Sequence, residues 1–357
     1  MDRRTRIGII GTGGIARAHA RSYAQIPDAQ IVAVCDVVAG RAAAFAAEQG
    51  LDARAFDDPG GLLAEDLDAV SVCTPNVAHH SATVAALRAG KHVLVEKPLA
   101  VTYAHAREMV DVARSTGRIL SVGFQSRYDQ NINLAKQVVA SGGMGDLYYV
   151  DMGGGRQRGL AGGTFLRREL AGGGAILDIG CYSIDTAMYI IGHPRPVSVS
   201  AATADHFIRN RAYIADAAAD VEDFGAAFIR FEGGLTMVFK ICWAMHADSL
   251  GPCLFLGARG GLRLDVTGGL GDDTIVGMTY FQDVVGAPTR TALPVRRPGS
   301  RGSFERKVAE FVRAVREGGP APIPAAEILP SMAILDGIYR SAAEGREVDV
   351  RDPVPQA

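Results

Sequence analysis

The chain has 357 residues, 48% of them hydrophobic and 21% charged. That length and balance suit two domains, each able to bury a core. A formal net charge of −2 excludes the strongly basic field that binds nucleic acid or an anionic membrane.

From the N-terminus, short β-branched runs alternate with Ala-rich stretches. Residues 6–10, 31–35, 69–73, 92–95 and 119–122 have strand length and composition, and residues 15–25, 39–49, 80–89 and 103–115 carry helical spacing. Such alternation predicts βαβ units around a buried, doubly wound parallel sheet, so residues 1–124 are expected to form an α/β domain. Beyond residue 124 the pattern changes. Helices are expected over 130–140 and 175–191, followed by strands at 197–203, 221–231, 235–243, 253–256 and 261–265 with no helix between them. Gly233-Gly234 falls between two of these runs as a hairpin signal. Residues 125–357 are therefore expected to form an α+β domain with a large, mostly antiparallel sheet. Two helices, 303–317 and 325–344, close the chain on either side of a Pro-rich breaker and are free to pack back on the first domain. The glycine groups 153–155, 162–163 and 172–174 read either as mobile loops or as backbone brought close to a ligand.

The five cysteines (35, 73, 181, 242, 253) are dispersed, without C-x-x-C or a His-Cys cluster, which predicts reduced core thiols and no metal site. The N-terminal segment lacks an apolar signal core, and no apolar run approaches the roughly 18 residues of a membrane span. A cytoplasmic protein with no membrane or nucleic-acid partner is expected. Only five lysines occur, at 91, 97, 136, 240 and 307, against 37 − 5 = 32 arginines, so each lysine merits inspection.

Gly11-Thr12-Gly13-Gly14-Ile15-Ala16 follows a predicted strand and opens a predicted helix. In G-x-G-x-x-A the first glycine permits the tight turn, the second lets backbone approach a pyrophosphate, and Ala16 lets helix and strand pack closely. Asp36 ends the second strand, 36 − 11 = 25 positions beyond Gly11. A carboxylate there binds ribose hydroxyls and repels a 2′-phosphate, which favours NAD; Arg41 leaves NADP possible. The alternative for Asp36 is a solvated strand-end charge.

Glu96-Lys97-Pro98 sits at the carboxyl end of the fourth predicted strand, the edge where open parallel sheets bind ligands. Lys97 would be partly desolvated there, unless it is a plain surface lysine. A second cluster, Gly172 to Asp185, places Asp178, Tyr182 and Asp185 at i, i+4 and i+7, on one face of a regular helix. Alcohol oxidation needs a base for the hydroxyl proton, and a phenol beside a cation suits that task. Lys97, Asp178 and Tyr182 are thus the candidate catalytic and substrate-binding residues, expected to meet across an interdomain cleft; the plain alternative is a helix with structural aspartates. Arg127 and Tyr128 either hold substrate hydroxyls or pack between domains. Trp243 and His246 face the pocket or the core, Arg156 and Arg158 reach the mouth of the site or stay solvated, and His19, His105 and His206 read as ordinary surface or helix residues.

These landmarks, with Cys73-Thr74-Pro75-Asn76, His79, and Gly123-Phe124 before Arg127-Tyr128, resemble the Gfo/Idh/MocA oxidoreductases over nearly the whole length. The resemblance implies a Rossmann domain followed by a sheet domain often used for oligomerisation. The candidate dinucleotide-binding residues are Gly11, Thr12, Gly13, Gly14, Ile15 and Asp36, with Cys73 and Lys97, and the resemblance implies that Thr74, Pro75, Asn76, His79 and Glu96 line the nicotinamide half of the site. It also implies that Lys97 and Asp178 work on a sugar or cyclitol. Many members carry D-x-x-x-H where this chain reads Asp178-Ile179-Gly180-Cys181-Tyr182, a departure that puts an inositol substrate in doubt. The expected activity is oxidation of a secondary alcohol with NAD; the alternatives are a glycosidase using NAD for transient oxidation and elimination, or a non-catalytic dinucleotide sensor. The run of strands without enough helices to cover both sheet faces predicts a homodimer or homotetramer.

Overall fold

The structure, a computed structural model, describes residues 3–210, 212–214, 216–267, 274–296 and 302–351. The chain divides into two compact units: Met1–Ala100, Ala104–Phe124 and Phe304–Leu329 in the first, and Val101–Tyr103, Gln125–Ser303 and Pro330–Ala357 in the second.

The first unit is a six-stranded parallel sheet in the order β3-β2-β1-β4-β5-β6. Its strands are β1 (Thr5–Ile10), β2 (Ala29–Cys35), β3 (Arg54–Phe56), β4 (Ala69–Val72), β5 (His92–Val95) and β6 (Leu120–Val122). Connecting helices are α1 (Gly14–Ala24), α2 (Arg41–Glu48), α3 (Pro59–Leu63), α4 (His79–Arg88) and α5 (Tyr103–Thr116). All four residues of β4 are buried, as a strand covered on both faces requires. The order reverses at β1, and the crevice at such a reversal is where doubly wound sheets take ligands. The segments β3 and α3 were not expected from sequence. β3 has three residues, none of them buried, so it lacks the apolar run that marks a strand.

The core of this unit holds Ile7, Ile9, Ala16, Ala20, Phe45 and Leu94 together with Val308, Phe311 and Val312. The last three lie on α10 (Ser303–Glu317), a helix that enters the chain almost two hundred residues after the rest of the unit.

In the second unit, α6 (Gln130–Ala140) is capped by Asp129, whose Oδ1 accepts from the Asn131 and Ile132 amides at 2.7 and 3.2 Å. The nine-stranded sheet takes in β7 (Leu147–Gly155), β8 (Pro196–Ala204), β9 (Phe224–Phe231), β10 (Thr236–Cys242), β11 (Cys253–Gly257), β12 (Gly260–Val266), β13 (Ile275–Val284), β14 (Ala287–Ala292) and β15 (Val348–Asp349). β7 and β10 pair in parallel, and every other pair in this sheet is antiparallel. Gly233 and Gly234, with φ of 79° and 87°, make the turn between β9 and β10 that their spacing predicts.

Three expectations need correction. Gly153–155 is neither a mobile loop nor a ligand cradle: it ends β7, where a Cβ on Gly153 would lie 2.0 Å from the Lys240 carbonyl oxygen. Glycine is the price of that close approach, and three glycines hid the strand. The segment 221–223 leads into β9 without being part of it. Finally, Arg168–Ile191 does reach the length and mean hydropathy of a membrane span, but 78% of that window is buried inside the protein, as a core helix requires.

Candidate active site

At the β1–α1 turn, Gly11 has φ of 87°, and a Cβ there would sit 2.6 Å from the Cys73 carbonyl oxygen. Any side chain would both strain the backbone and push β4 away. Gly13 and Gly14 face the other way, with no atom within 4 Å of a Cβ on either, so the first amides of α1 stay open to an approaching phosphate. Ala16 is fully buried and Ile15 is 39% exposed. Asp36 locks the turn: its Oδ2 accepts from the Thr12 amide at 3.0 Å and from the Thr12 hydroxyl at 2.8 Å, while Oδ1 accepts from the Val38 amide at 3.0 Å. Arg41 Nη1 stands 3.7 Å from Asp36 Oδ1. Burial pushes the Asp36 carboxyl up, but these hydrogen bonds and Arg41 hold it below its ordinary value. An ionised carboxylate beside open helix amides fits NAD.

At the carboxyl ends of β4 and β5, Thr74 is half-buried, Pro75 exposed, and Asn76 buried at the start of a short turn. His79 points inward: its Nδ1 lies 2.7 Å from the Pro98 carbonyl oxygen and its Nε2 3.1 Å from that of Thr74. It ties the loop after β4 to the loop after β5, and burial lowers its pKa. Lys97 is half-buried, and its amide donates to Glu96 Oε2 at 3.3 Å.

Glu96 belongs to a polar network that the sequence concealed. Its Oε1 accepts from Lys307 Nζ at 2.5 Å and lies 2.8 Å from His19 Nε2. His19 Nδ1 is 3.1 Å from Ser71 Oγ, which lies 2.8 Å from the Tyr23 hydroxyl. His19 lies on α1 but is fully buried in this network, so of the expectation of an ordinary surface or helix residue only the helix holds. Burial alone would raise the Glu96 pKa, but Lys307 and His19 hold it far below the carboxylate range; burial pushes the His19 imidazole down. The same carboxylate explains Gly123, since a Cβ there would lie 2.9 Å from Glu96 Oε2. Glu96 therefore faces inward, directly behind Lys97.

In the second unit, the segment carrying Asp178 is a π-helical turn, Ile176–Gly180, running into α8 (Cys181–Ile191). The wider turn breaks the single face expected from i, i+4, i+7 spacing, and such turns recur at functional sites. Asp178 and Tyr182 stay half-buried, whereas Asp185 is fully buried in a two-bond ion pair with Arg127: Nε to Oδ2 at 3.0 Å and Nη2 to Oδ1 at 2.8 Å. The Arg127 guanidinium also stacks 4.9 Å from the Tyr189 ring centre. Arg127, a substrate candidate by sequence, thus pins α8, while Tyr128 remains half-buried on its own short turn.

Asp178 Oδ2 accepts from Trp243 Nε1 at 3.0 Å, which assigns the single tryptophan. Glu222, unforeseen from sequence, braces the turn from behind. Its Oε1 accepts from the Gly174 amide at 2.8 Å, the Ile176 amide at 3.2 Å and the Tyr339 hydroxyl at 2.7 Å. The glycines 172–174 serve this packing: a Cβ on Gly174 would lie 1.9 Å from the Glu222 carbonyl oxygen, and one on Gly173 would lie 2.1 Å from the Tyr339 hydroxyl. The only signal for Lys307 was the scarcity of lysine; Glu222 and Tyr339 carried none.

Comparison with known proteins agrees with this architecture. Residues 5–124 match the oxidoreductase family with an NAD-binding Rossmann fold, and residues 132–269 match the GFO/IDH/MocA C-terminal domain. The chain belongs to the Gfo/Idh/MocA oxidoreductase family, and its first unit is an NAD-binding Rossmann domain. It is 42% identical over 199 residues to the D-glucoside 3-dehydrogenase of Escherichia coli (strain K12), a match covering 55% of this chain and 56% of that one. Over 141 residues it is 38% identical to an inositol 2-dehydrogenase of Salmonella typhimurium, covering 39% of this chain and 42% of that one. The chain thus spans about half the length of these curated relatives in the matches. Among solved structures, an aldose-aldose oxidoreductase from Caulobacter crescentus superposes with a TM-score of 0.77 at 25% identity, covering 97% of this chain and all of that one.

Proposed function

We propose that the protein is an NAD-dependent dehydrogenase that oxidises a secondary alcohol carbon of a sugar, sugar derivative or cyclitol. The observation that carries this reading is the bracing of Asp178. A half-buried carboxylate on a π turn, oriented by Trp243 and backed by Glu222, sits four positions from Tyr182 in a chain whose other unit binds NAD. Similarity to a glucoside and an inositol dehydrogenase supports the substrate class.

NAD, when bound, accepts the hydride. Asp178 orients the sugar by accepting from one of its hydroxyls. Lys97 hydrogen-bonds the reacting hydroxyl and stabilises its developing negative charge. Tyr182 takes the proton, directly or through Lys97. Lys97→Ala should cut turnover at least about a hundredfold while NAD still binds. Tyr182→Phe separates the two base assignments: a loss of similar size makes the phenol the base, and a few-fold loss leaves Lys97 as the proton carrier. Near-normal turnover in both variants overturns the site.

The proposal includes a homodimer or homotetramer joined through the sheet of the second unit. One sheet face is buried through Val150, Met152, Met237, Phe239, Phe255 and Leu264. The opposite face carries Tyr149, Val238, Phe228, Leu254 and Leu256, all half-exposed or exposed, around the Lys240–Asp151 ion pair, a mixed surface with enough apolar area to suit a second copy. A monomer by light scattering at micromolar concentration would overturn it. Cytoplasmic placement belongs to the same reading and rests on five scattered, buried thiols.

A further inference from the structure

Three loops of the second unit carry a cluster that the proposed chemistry does not use. The Arg158 guanidinium lies 5.6 Å from the Phe207 ring centre and 5.4 Å from that of Tyr213. The Phe207 ring is 5.0 Å from Tyr213 and 5.4 Å from His246. Arg158 Nη2 is 3.3 Å from His246 Nδ1, and Nη1 donates to the Met245 carbonyl oxygen at 2.9 Å.

The cluster is tied to Asp178 by an unbroken set of hydrogen bonds. Trp243 reaches Asp178 through its indole, and its own amide donates to the Asp223 carbonyl oxygen at 2.9 Å. Asp223, 1% exposed, in turn accepts from the Phe207 and Ile208 amides at 2.7 and 2.8 Å. The loop bearing Phe207 and Tyr213 and the loop bearing His246 therefore hang on the residue that orients Asp178.

Rings gathered only for packing are buried. Here Arg158, Tyr213 and His246 are exposed and Phe207 is half-buried, so flat apolar and cationic surface is held open at a fixed place. Such surface stacks against the C–H face of a pyranose or against an aryl ring. Asp178 is joined to the cluster through Trp243 and Asp223, so a ring seated on the cluster would be a second ring beside the one whose hydroxyl Asp178 holds. We propose that Arg158, Phe207, Tyr213 and His246 form a shelf for the aglycone ring of a glycoside, which makes the substrate a pyranoside bearing a second ring rather than a free sugar. This rests on Asp178 being the group that meets the reacting sugar.

The test compares kcat/KM with NAD for methyl, phenyl and cellobiose-type β-glucosides in the wild-type enzyme and in Tyr213→Ala and Phe207→Ala. The wild-type enzyme should favour a ring-bearing glucoside over the methyl glucoside by about tenfold, the scale of one stacking contact. Each variant should lose most of that ratio. Preference for phenyl glucoside assigns an aryl aglycone, and preference for cellobiose a second sugar. Tyr213→Ala changes an exposed ring, so its thermal midpoint should stay near wild type and the ratio remains readable even where Phe207→Ala unfolds. A wild-type ratio near one, or a ratio unchanged in Tyr213→Ala, overturns the shelf while methyl glucoside oxidation keeps the dehydrogenase reading intact. No oxidation of any sugar or cyclitol overturns both.

Discussion

The two units hold their functional residues by different means. In the first, the glycine turn is fixed by Asp36, 24 positions from Thr12, across neighbouring strands. In the second, Asp178 is fixed by Trp243, 65 positions away, and its turn by Glu222, 48 positions from Gly174, which is held in turn by Tyr339, a further 117 along. One site is a local motif that any βαβ unit can repeat; the other exists only after a nine-stranded sheet has formed. The first unit has one departure from this rule: Glu96 depends on Lys307, 211 positions on.

That departure gives the largest expected effect. Lys307→Ala leaves the buried Glu96 carboxylate without its cation and should destabilise the protein by about 3–5 kcal/mol, read as a lower urea midpoint by circular dichroism. The pH dependence should change with it. In the wild type, burial keeps His19 neutral below its ordinary 6.5, so the unfolded chain binds that proton first and stability falls as pH drops below about 6.5. Glu96, depressed in the fold, adds stability that is complete above its ordinary 4.5 and is lost as pH falls from there. Without Lys307 the Glu96 depression shrinks, so the acid loss should flatten. A variant with wild-type midpoint and acid profile would show the network to be inert.

The second-unit counterpart is smaller. Glu222→Ala leaves two backbone amides and the Tyr339 hydroxyl without their buried acceptor, at a cost of about 1–3 kcal/mol. It should also lower turnover and shift the emission of Trp243, which reports on Asp178. Glu222→Gln keeps an acceptor and should recover much of both. Full activity in the alanine variant would mean that Asp178 needs no bracing.

The smallest effect concerns the locally encoded turn. Asp36→Ala should weaken NAD by about 1–2 kcal/mol and improve relative use of NADP, since Arg41, 3.7 Å from the carboxylate, would then be released. Strong preference for NADP in the wild type would sink this assignment.

The legibility of the sequence follows the same division. Apart from the exposed β3, strands of the parallel sheet announce themselves because both faces are buried, and Gly11 and Asp36 stand at spacings that geometry demands. β7 went unread because its last three residues are glycines, and β13 and β14 because their burial is too patchy for a period. Helical periodicity placed Asp178 and Tyr182 near one another but put Asp185 with them. Asp185 is instead drawn into the buried pair with Arg127, and the π turn that offsets Asp178 from the regular helix after it is braced by Glu222 and by Gly174 packing against its backbone, which no local pattern reveals. His19 looked ordinary for a similar reason: its partners are Glu96 and Ser71, 77 and 52 positions away.

The discontinuity of the first unit has a consequence for biosynthesis. A ribosome delivers the six strands of the Rossmann sheet early, yet Val308, Phe311 and Lys307 arrive only after the whole of residues 125–303 has been made. Until then His19 and Glu96 lack their cation and the sheet lacks part of its apolar cover. The nascent first unit is thus an unfinished body waiting on a late segment, and the two units interleave along the chain, the second taking Gln125–Ser303 before that segment and Pro330–Ala357 after it. A fragment ending at residue 124 should behave as an expanded, aggregation-prone chain, and adding residues 302–329 in trans should be what restores it.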